Sequence, residues 1–351
     1  MSEETQFLSN LWYVAGMSAE LKAGSMRREM LCGEPVLLGR GRDGKAFALR
    51  DICPHRAAPL SAGRIEDGTV ECPYHGWRFR PDGVCAAIPS LLVDQDIDIS
   101  RIKVRSYPLE EQDGLIWVYF ASGTKAEAAP ALDPPKIPIR SGDGRAKPRF
   151  IEAQMFPCDV DHAVVGLMDP AHGPFVPRTW WWRTGSSIHA KAKPHAPSLR
   201  GFTMVTHKPS SNSLPYKLLG GSVSTEIRFE LPSLRFEHIR TPKAEILGFT
   251  AVTPQTADRT IVRQVFYWTV PWLSVVKPIF RPFARAFLGQ DRRIVELQNE
   301  GLKFSPPQML IQDADAPAIW YHRLKKAWAH SSETGEPFVN PVQERILRWR
   351  S

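Results

Sequence analysis

The sequence predicts an α+β chain in which an antiparallel β-domain comes first and a second domain of strands and helices follows. Short apolar runs parted by Gly-rich turns fill the first 120 residues, which is the punctuation of a sheet. Val36–Leu38 and Ala46–Leu49 are two such strands, Gly76–Phe79 leads into the Asp82-Gly83 turn, and Leu115–Phe120 is another β-rich run. Residues from about 122 to 148 are rich in Ala, Pro, Gly and Lys, with Pro130, Pro134, Pro135 and Pro138 close together, so they predict a semi-rigid connector. A change of pattern near Phe150 opens the second domain. There the strands Glu226–Glu230 and Thr260–Thr269 precede a helix from about Phe280 to Gly301. The expected division is residues 1–121, a connector at 122–149, and residues 150–351.

Size and composition agree with two domains. A chain of 351 residues exceeds one typical hydrophobic core. No N-terminal apolar run resembles a signal peptide, and no stretch approaches the roughly 20 apolar residues of a membrane span. A cytoplasmic location is expected. Five cysteines without a disulfide ladder fit a reducing compartment, with Cys32, Cys85 and Cys158 expected to pack as small hydrophobes. The formal charge of +8 is spread along the chain, with no basic stripe interleaved with aromatics, so nucleic acid is not the expected partner. A basic surface for an acidic redox partner is the better use of that charge.

Cys53-Pro54-His55 and Cys72-Pro73-Tyr74-His75 carry the chemistry, with sixteen residues between His55 and Cys72. A Rieske [2Fe–2S] cluster takes two thiolates on one iron and two imidazoles on the other. One Cys and one His from each of two loops supply that set. Zinc is the competing metal for Cys₂His₂, but its knuckles usually segregate the two cysteines from the two histidines. Here each knuckle is mixed. Pro54 and Pro73 suit rigid loops, because proline fixes φ and removes a backbone donor.

The flanks sharpen the assignment. Asn10-Leu11-Trp12-Tyr13, Gly33-Glu34-Pro35-Val36, Cys53-Pro54-His55-Arg56, Ala58-Pro59-Leu60 and Cys72-Pro73-Tyr74-His75-Gly76-Trp77 resemble the Rieske domain of the ring-hydroxylating and O-demethylating oxygenases. The resemblance is to the vanillate O-demethylase and dicamba monooxygenase-like branch of the Rieske non-haem iron oxygenases. It implies an all-β Rieske domain followed by a helix-grip catalytic domain, an antiparallel sheet with helices, assembled as a head-to-tail homotrimer. It also implies a mononuclear non-haem Fe(II) held by two histidines and a carboxylate with positions open for O₂. The resemblance further implies electrons from a separate ferredoxin or flavin reductase.

Gly166-Leu167-Met168-Asp169-Pro170-Ala171-His172-Gly173-Pro174-Phe175-Val176 resembles the family's iron-binding helix. On that resemblance His172 is the first histidine ligand and Asp169, one helical turn before it, is the acid that bridges to a neighbouring subunit's cluster histidine. Periodicity argues for the third ligand. Phe287, Asp291 and Ile294 share one face of the late helix, and an aspartate on an apolar stripe is costly unless it is paired or binds a metal. Gln290-Asp291-Arg292-Arg293-Ile294-Val295-Glu296 also resembles the carboxylate-ligand helix, although an Asp291–arginine salt bridge would satisfy the same burial.

One position departs from the family. The second histidine is expected five residues after the first, and Pro177 stands there. His189 or His162 replaces it, or the site works with fewer ligands, or it has lost its iron. His162 lies ten residues before His172, about 15 Å along a continuous helix, so it joins only across a break. Gly166 stands where relatives often carry a polar side chain. Trp180, Trp181, Trp182, Phe266, Tyr267 and Trp268 either line an apolar pocket or fill a core. The Pro271–Phe283 stretch, with Lys277, Arg281 and Arg285 interspersed, reads as a core helix with a basic edge before it reads as a membrane-surface element. The expected activity is hydroxylation or oxidative demethylation of an aromatic or other small hydrophobic molecule. The contrary expectation is a Rieske electron carrier or ligand-binding protein with a degenerate iron site.

Overall fold

Strand-forming runs and turn residues alternate closely through the first third of the chain, and in the computed structural model they fold into three small antiparallel sheets. The structure describes residues 7–92, 94–122, 130–139, 146–173, 175–176, 188–208, 222–275 and 277–351. The chain divides into two compact units between Lys136 and Ile137. In the first, β1 (Leu11–Met17), β10 (Leu109–Gln112) and β11 (Leu115–Phe120) form one sheet in the order β1-β11-β10. A second runs β2 (Met26–Leu31), β3 (Glu34–Arg40), β4 (Ala46–Arg50) and β9 (Ser106–Tyr107). The third joins β5 (Arg64–Glu66), β6 (Thr69–Glu71), β7 (Arg78–Phe79) and β8 (Cys85–Ala87).

Leu37, Leu49, Leu60, Val70 and Phe79 are fully buried in one cluster of this unit, and Cys53 and Cys72 belong to the same cluster. Each such side chain contributes roughly 1.5–3 kcal/mol by leaving water. The described part of the Pro-rich stretch is latched to this unit. Trp12 Nε1 donates to Leu132 O at 2.6 Å, and Gln112 Nε2 to Pro135 O at 3.1 Å.

The second unit is an eight-stranded antiparallel sheet with helices. Its strands are β12 (Phe150–Phe156), β13 (Ala190–Ser198), β14 (Gly201–His207), β15 (Ser224–Glu230), β16 (Leu234–Arg240), β17 (Glu245–Thr256), β18 (Arg259–Trp268) and β19 (Arg345–Arg350). Their order across the sheet is β12-β18-β17-β16-β15-β14-β13-β19. The described helices are α1 (Val160–Met168), α2 (Lys277–Leu302) and α3 (Ala316–Thr334). Paired residues of neighbouring antiparallel strands project to one face. The row Phe202, Phe229, Arg235, Thr250, Gln264, Glu152 therefore marks a single face across six strands. Phe229 meets the Tyr321 ring of α3 and Glu152 meets Arg285 of α2 at 3.0 Å, so this is the face the helices cover.

Side chains fix the helices to one another. Asp159 caps α1 by accepting from His162 N at 2.9 Å. The second and third residues of the helix reach different partners. Asp161 accepts from Tyr321 Oη at 2.6 Å and from Lys325 Nζ at 2.6 Å on α3, whereas His162 Nε2 lies 2.8 Å from Gln298 Oε1 on α2. Asn299 donates to Pro157 O beside it.

The late helix forms as expected, but its buried stripe differs. Leu288 and Val295 are buried, with Asp291 half-buried between them, while Ile294 is 36% exposed. Offsets of three and four residues bring Leu288, Asp291 and Val295 together, and this arrangement turns Ile294 outward. The side chain of Phe287 lies outside the described residues. The C-terminal region, which the sequence pattern leaves unassigned, supplies α3 and the edge strand β19.

Candidate metal centres

The two Cys-His loops share one backbone bonding scheme. Cys53 N donates to Ala58 O at 2.9 Å and Ala57 N to Cys53 O at 2.9 Å; Cys72 N donates to Trp77 O at 2.8 Å and Gly76 N to Cys72 O at 3.1 Å. The fifth residue of each loop has a positive φ, 58° at Ala57 and 69° at Gly76. Glycine takes that conformation freely and alanine does not. An acid closes the base of each loop. Buried Asp51 accepts from Ser61 N at 2.7 Å and from its hydroxyl at 2.6 Å, and Glu71 accepts from Arg78 Nε at 2.9 Å. Sequence reasoning missed Asp51 and Glu71, whose signal is only an acid just upstream of each cysteine.

The loops bring all four predicted ligands together. Cys53 and Cys72 are both 2% exposed. The His55 and His75 rings stand 4.6 Å apart, and Trp77 stacks on His55 at 4.6 Å with 5° between the planes. Burial pushes the Cys53 thiol up to about 11, and the neighbouring Cys72 adds to this against the backbone N–H groups of His55 and Arg56. Two thiolates this close need a cation, which a cluster iron supplies. Burial, together with His55 and Arg56, holds His75 below the usual histidine range, in the neutral form that binds metal. Two sulfurs and two imidazoles from mixed knuckles fit a Rieske cluster.

The second centre assembles differently. Pro170 disfavours a helical Asp169, so α1 stops at Met168 and Asp169 is extended at φ −66° and ψ 116°. The sequence expectation of one continuous helical turn is therefore corrected. Asp169 Oδ1 instead accepts from Ala171 N at 2.7 Å, and the resulting turn brings His172 Nδ1 to 3.5 Å from Asp169 Oδ2. A new turn starts at His172, whose carbonyl accepts from Phe175 N at 2.8 Å.

His172 and Asp291 lie within electrostatic reach of each other. Burial opposes charge on His172, but Asp169 and then Asp291 outweigh it and hold the ring above the usual histidine range. For Asp169 burial is likewise outweighed, by His172 and the Ala171 N–H, and its carboxyl stays below the usual range. Burial pushes Asp291 up, against His172 and Arg235. Arg235, which sequence reasoning missed, favours a charged Asp291 and a neutral His172, the ligand form of each. It is ion-paired with Glu237 at 3.0 Å. Its signal would have been an arginine at an inward position of a strand.

The remaining candidates lie elsewhere. His162 is engaged by Gln298, and His189 pairs through its backbone with Ser351 at the sheet edge. Pro177 and Trp180 to Trp182 are outside the described residues. Strand alternation sends Phe266 and Trp268 to the helix-covered face and Tyr267 to the other, so the three do not line one pocket. A Cβ at Gly166 would meet nothing within 4 Å. Among the described residues no group of three His, Cys, Asp or Glu side chains converges on one ion-sized point.

Two family models match this chain: the Rieske [2Fe–2S] domain over residues 11–108 and the vanillate O-demethylase oxygenase C-terminal domain over residues 204–331. One chain thus joins a Rieske domain to an oxygenase C-terminal domain of the vanillate O-demethylase kind. It is similar to chlorophyllide a oxygenase of Arabidopsis thaliana, at 33% identity over 84% of this chain and 52% of the relative. It also resembles the oxygenase component of dicamba O-demethylase from Stenotrophomonas maltophilia, at 36% identity over 49% of this chain and 48% of that one. The chain thus spans about half the length of these curated relatives. Among solved structures, dicamba monooxygenase bound to dicamba has the same fold, with a TM-score of 0.71 at 23% identity over 94% of this chain and 100% of that one. The chain thus has a β-domain that matches the Rieske model and, after it, an antiparallel sheet packed with helices.

Proposed function

We propose that the chain is the terminal oxygenase component of a Rieske monooxygenase or dioxygenase that hydroxylates or oxidatively demethylates an aromatic or other hydrophobic small molecule. The observation that carries this reading is the pairing of a complete mixed Cys-His ligand set in one unit with the His172–Asp291 pair in the other. When bound, the cluster delivers single electrons and the mononuclear iron activates O₂. The protein's own part is to prepare the ligands. Asp169 Oδ2 stands 3.5 Å from His172 Nδ1, where its charge orients the ring and leaves Nε2 for a metal. The Arg235 charge favours the ionised form of Asp291 at the same place. In a head-to-tail homotrimer Asp169 would also accept from a cluster histidine of the neighbouring subunit. Electrons would enter from a ferredoxin or flavin reductase, and a reducing compartment such as the cytoplasm suits five free cysteines. No described helix is long and apolar enough to cross a membrane.

Pro177 favours a second reading, in which the mononuclear site is degenerate and the protein carries electrons or binds a ligand. Metal analysis after anaerobic ferrous loading separates the two. About three irons per chain supports the oxygenase and about two supports the carrier. A third iron would then come with a third protein donor, His189, His162 or another, or with water in its place. Replacing His189 or His162 with Ala and recounting iron identifies it.

A further inference from the structure

Trp77 ties the two Cys-His loops together. Its carbonyl accepts from Cys72 N at 2.8 Å within its own loop, while its ring lies flush on His55 of the other loop, with 4.6 Å between centroids and 5° between planes. One residue thus joins the cysteine of one loop to the histidine of the other. The two histidines are dressed differently as a result. His55 has a ring face covered by the indole, whereas His75 meets the ring of Tyr74, which is 59% exposed. Trp77 also packs against the buried core that includes Cys53 and Cys72.

The indole has a loose end. Trp77 Nε1 is buried, and among the described residues neither a thiol nor any other group accepts from it. An indole nitrogen only donates, and a buried donor left unpaired costs free energy, so such groups in native proteins normally meet an acceptor. The missing acceptor is of the kind a [2Fe–2S] cluster brings, because its bridging sulfides accept hydrogen bonds and those bonds help set its reduction potential. The sign follows from charge. Two ferric ions, two sulfides, two thiolates and two neutral imidazoles together carry no net charge, so one-electron reduction leaves a single negative one. A donor to a sulfide favours that charged state and raises the potential. A ring that only excludes water does the reverse, because burial disfavours the charged form.

We infer that Trp77 is a positioning residue for the cluster: its ring holds His55 in place and its Nε1–H donates to a cluster sulfide, which keeps the reduction potential up. The inference rests on the Rieske reading of the two loops. Trp77→Phe keeps a flat ring on His55 and removes the donor. Its midpoint potential, read by titrating the full chain with dithionite and following the reduced-state EPR signal, should fall by about 59 mV, a tenfold weaker reduction equilibrium. Trp77→Leu also uncovers His55. Its potential should fall less, because admitted water offsets part of the lost bond, and its EPR lines should broaden as the ring is freed, while those of Trp77→Phe keep the wild-type width. Should neither variant fold, wild-type protein carrying ¹⁵N at the tryptophan indoles decides the matter, since pulsed EPR of the reduced cluster should show a ¹⁵N coupling absent from unlabelled protein. An unchanged or raised potential in brown, folded Trp77→Phe, or no indole coupling in the labelled wild type, overturns the proposal. Wild-type protein without the mixed-ligand EPR signal overturns the Rieske reading and this proposal with it, so the two failures are told apart.

Discussion

The two candidate metal centres reach their ligands by opposite routes. In the first unit every donor lies between Cys53 and His75, on two loops with the same hydrogen-bond ring, each closed at its base by an acid. In the second, His172 follows the broken end of α1 and Asp291 comes from the middle of α2, and helix packing alone brings them together. A local centre is written as spacing, so it reads and survives as a unit. A distributed one is only as good as the packing beneath it.

The largest effect that would sharpen this contrast is loss of the cluster. Cys72→Ser should give colourless protein without the mixed-ligand EPR signal, since one of four local ligands is gone; a brown variant would break the comparison at its first term. Next, His172→Ala or Asp291→Ala should remove the mononuclear iron while leaving the cluster's visible spectrum unchanged, as read by metal analysis beside absorbance. Loss of both centres together would mean that they are not independent.

Packing in the second unit should also make it acid-sensitive. Burial pushes His195 down to about 4, although its ring lies 3.0 Å from Lys193 O. The unfolded histidine takes a proton below about 6.5 that the folded one refuses. Stability is thus full above that pH and falls by about 1.4 kcal/mol per unit toward pH 4. Urea titrations at several pH values should show the slope, and His195→Gln should reduce it. The smallest effect concerns the loops themselves. Ala57→Gly should raise stability by up to about 1 kcal/mol by relieving a positive φ, whereas Gly76→Ala should lower it, its new methyl standing 3.2 Å from Pro89 Cγ. Equal responses would show that the loops are less alike than their hydrogen bonds.

Legibility follows the same division. The strand Leu115–Phe120 and the meeting of the two Cys-His loops were readable because apolar runs and motif spacing are properties of neighbouring residues. Asp291 was readable as a carboxylate on a buried stripe, but Ile294 does not belong to that stripe, because Ile294 and Val295 differ by only 100° around the helix and packing chooses between them. The end of α1 could have been read from Pro170. Arg235 could not, since its role depends on strand register, which brings β16 under the helices only once the whole sheet has formed.

Adjacent Asp161 and His162 have a mechanical consequence. One ties α1 to α3 and the other ties it to α2, from neighbouring positions 100° apart on one short helix. Any roll of α1 that relaxes one tie strains the other, so the helix works as a keyed shaft. The turn that carries Asp169 and His172 is mounted on its end. Their placement relative to Asp291 is then inherited from the three-helix joint, and the site should come apart when that joint does and not before.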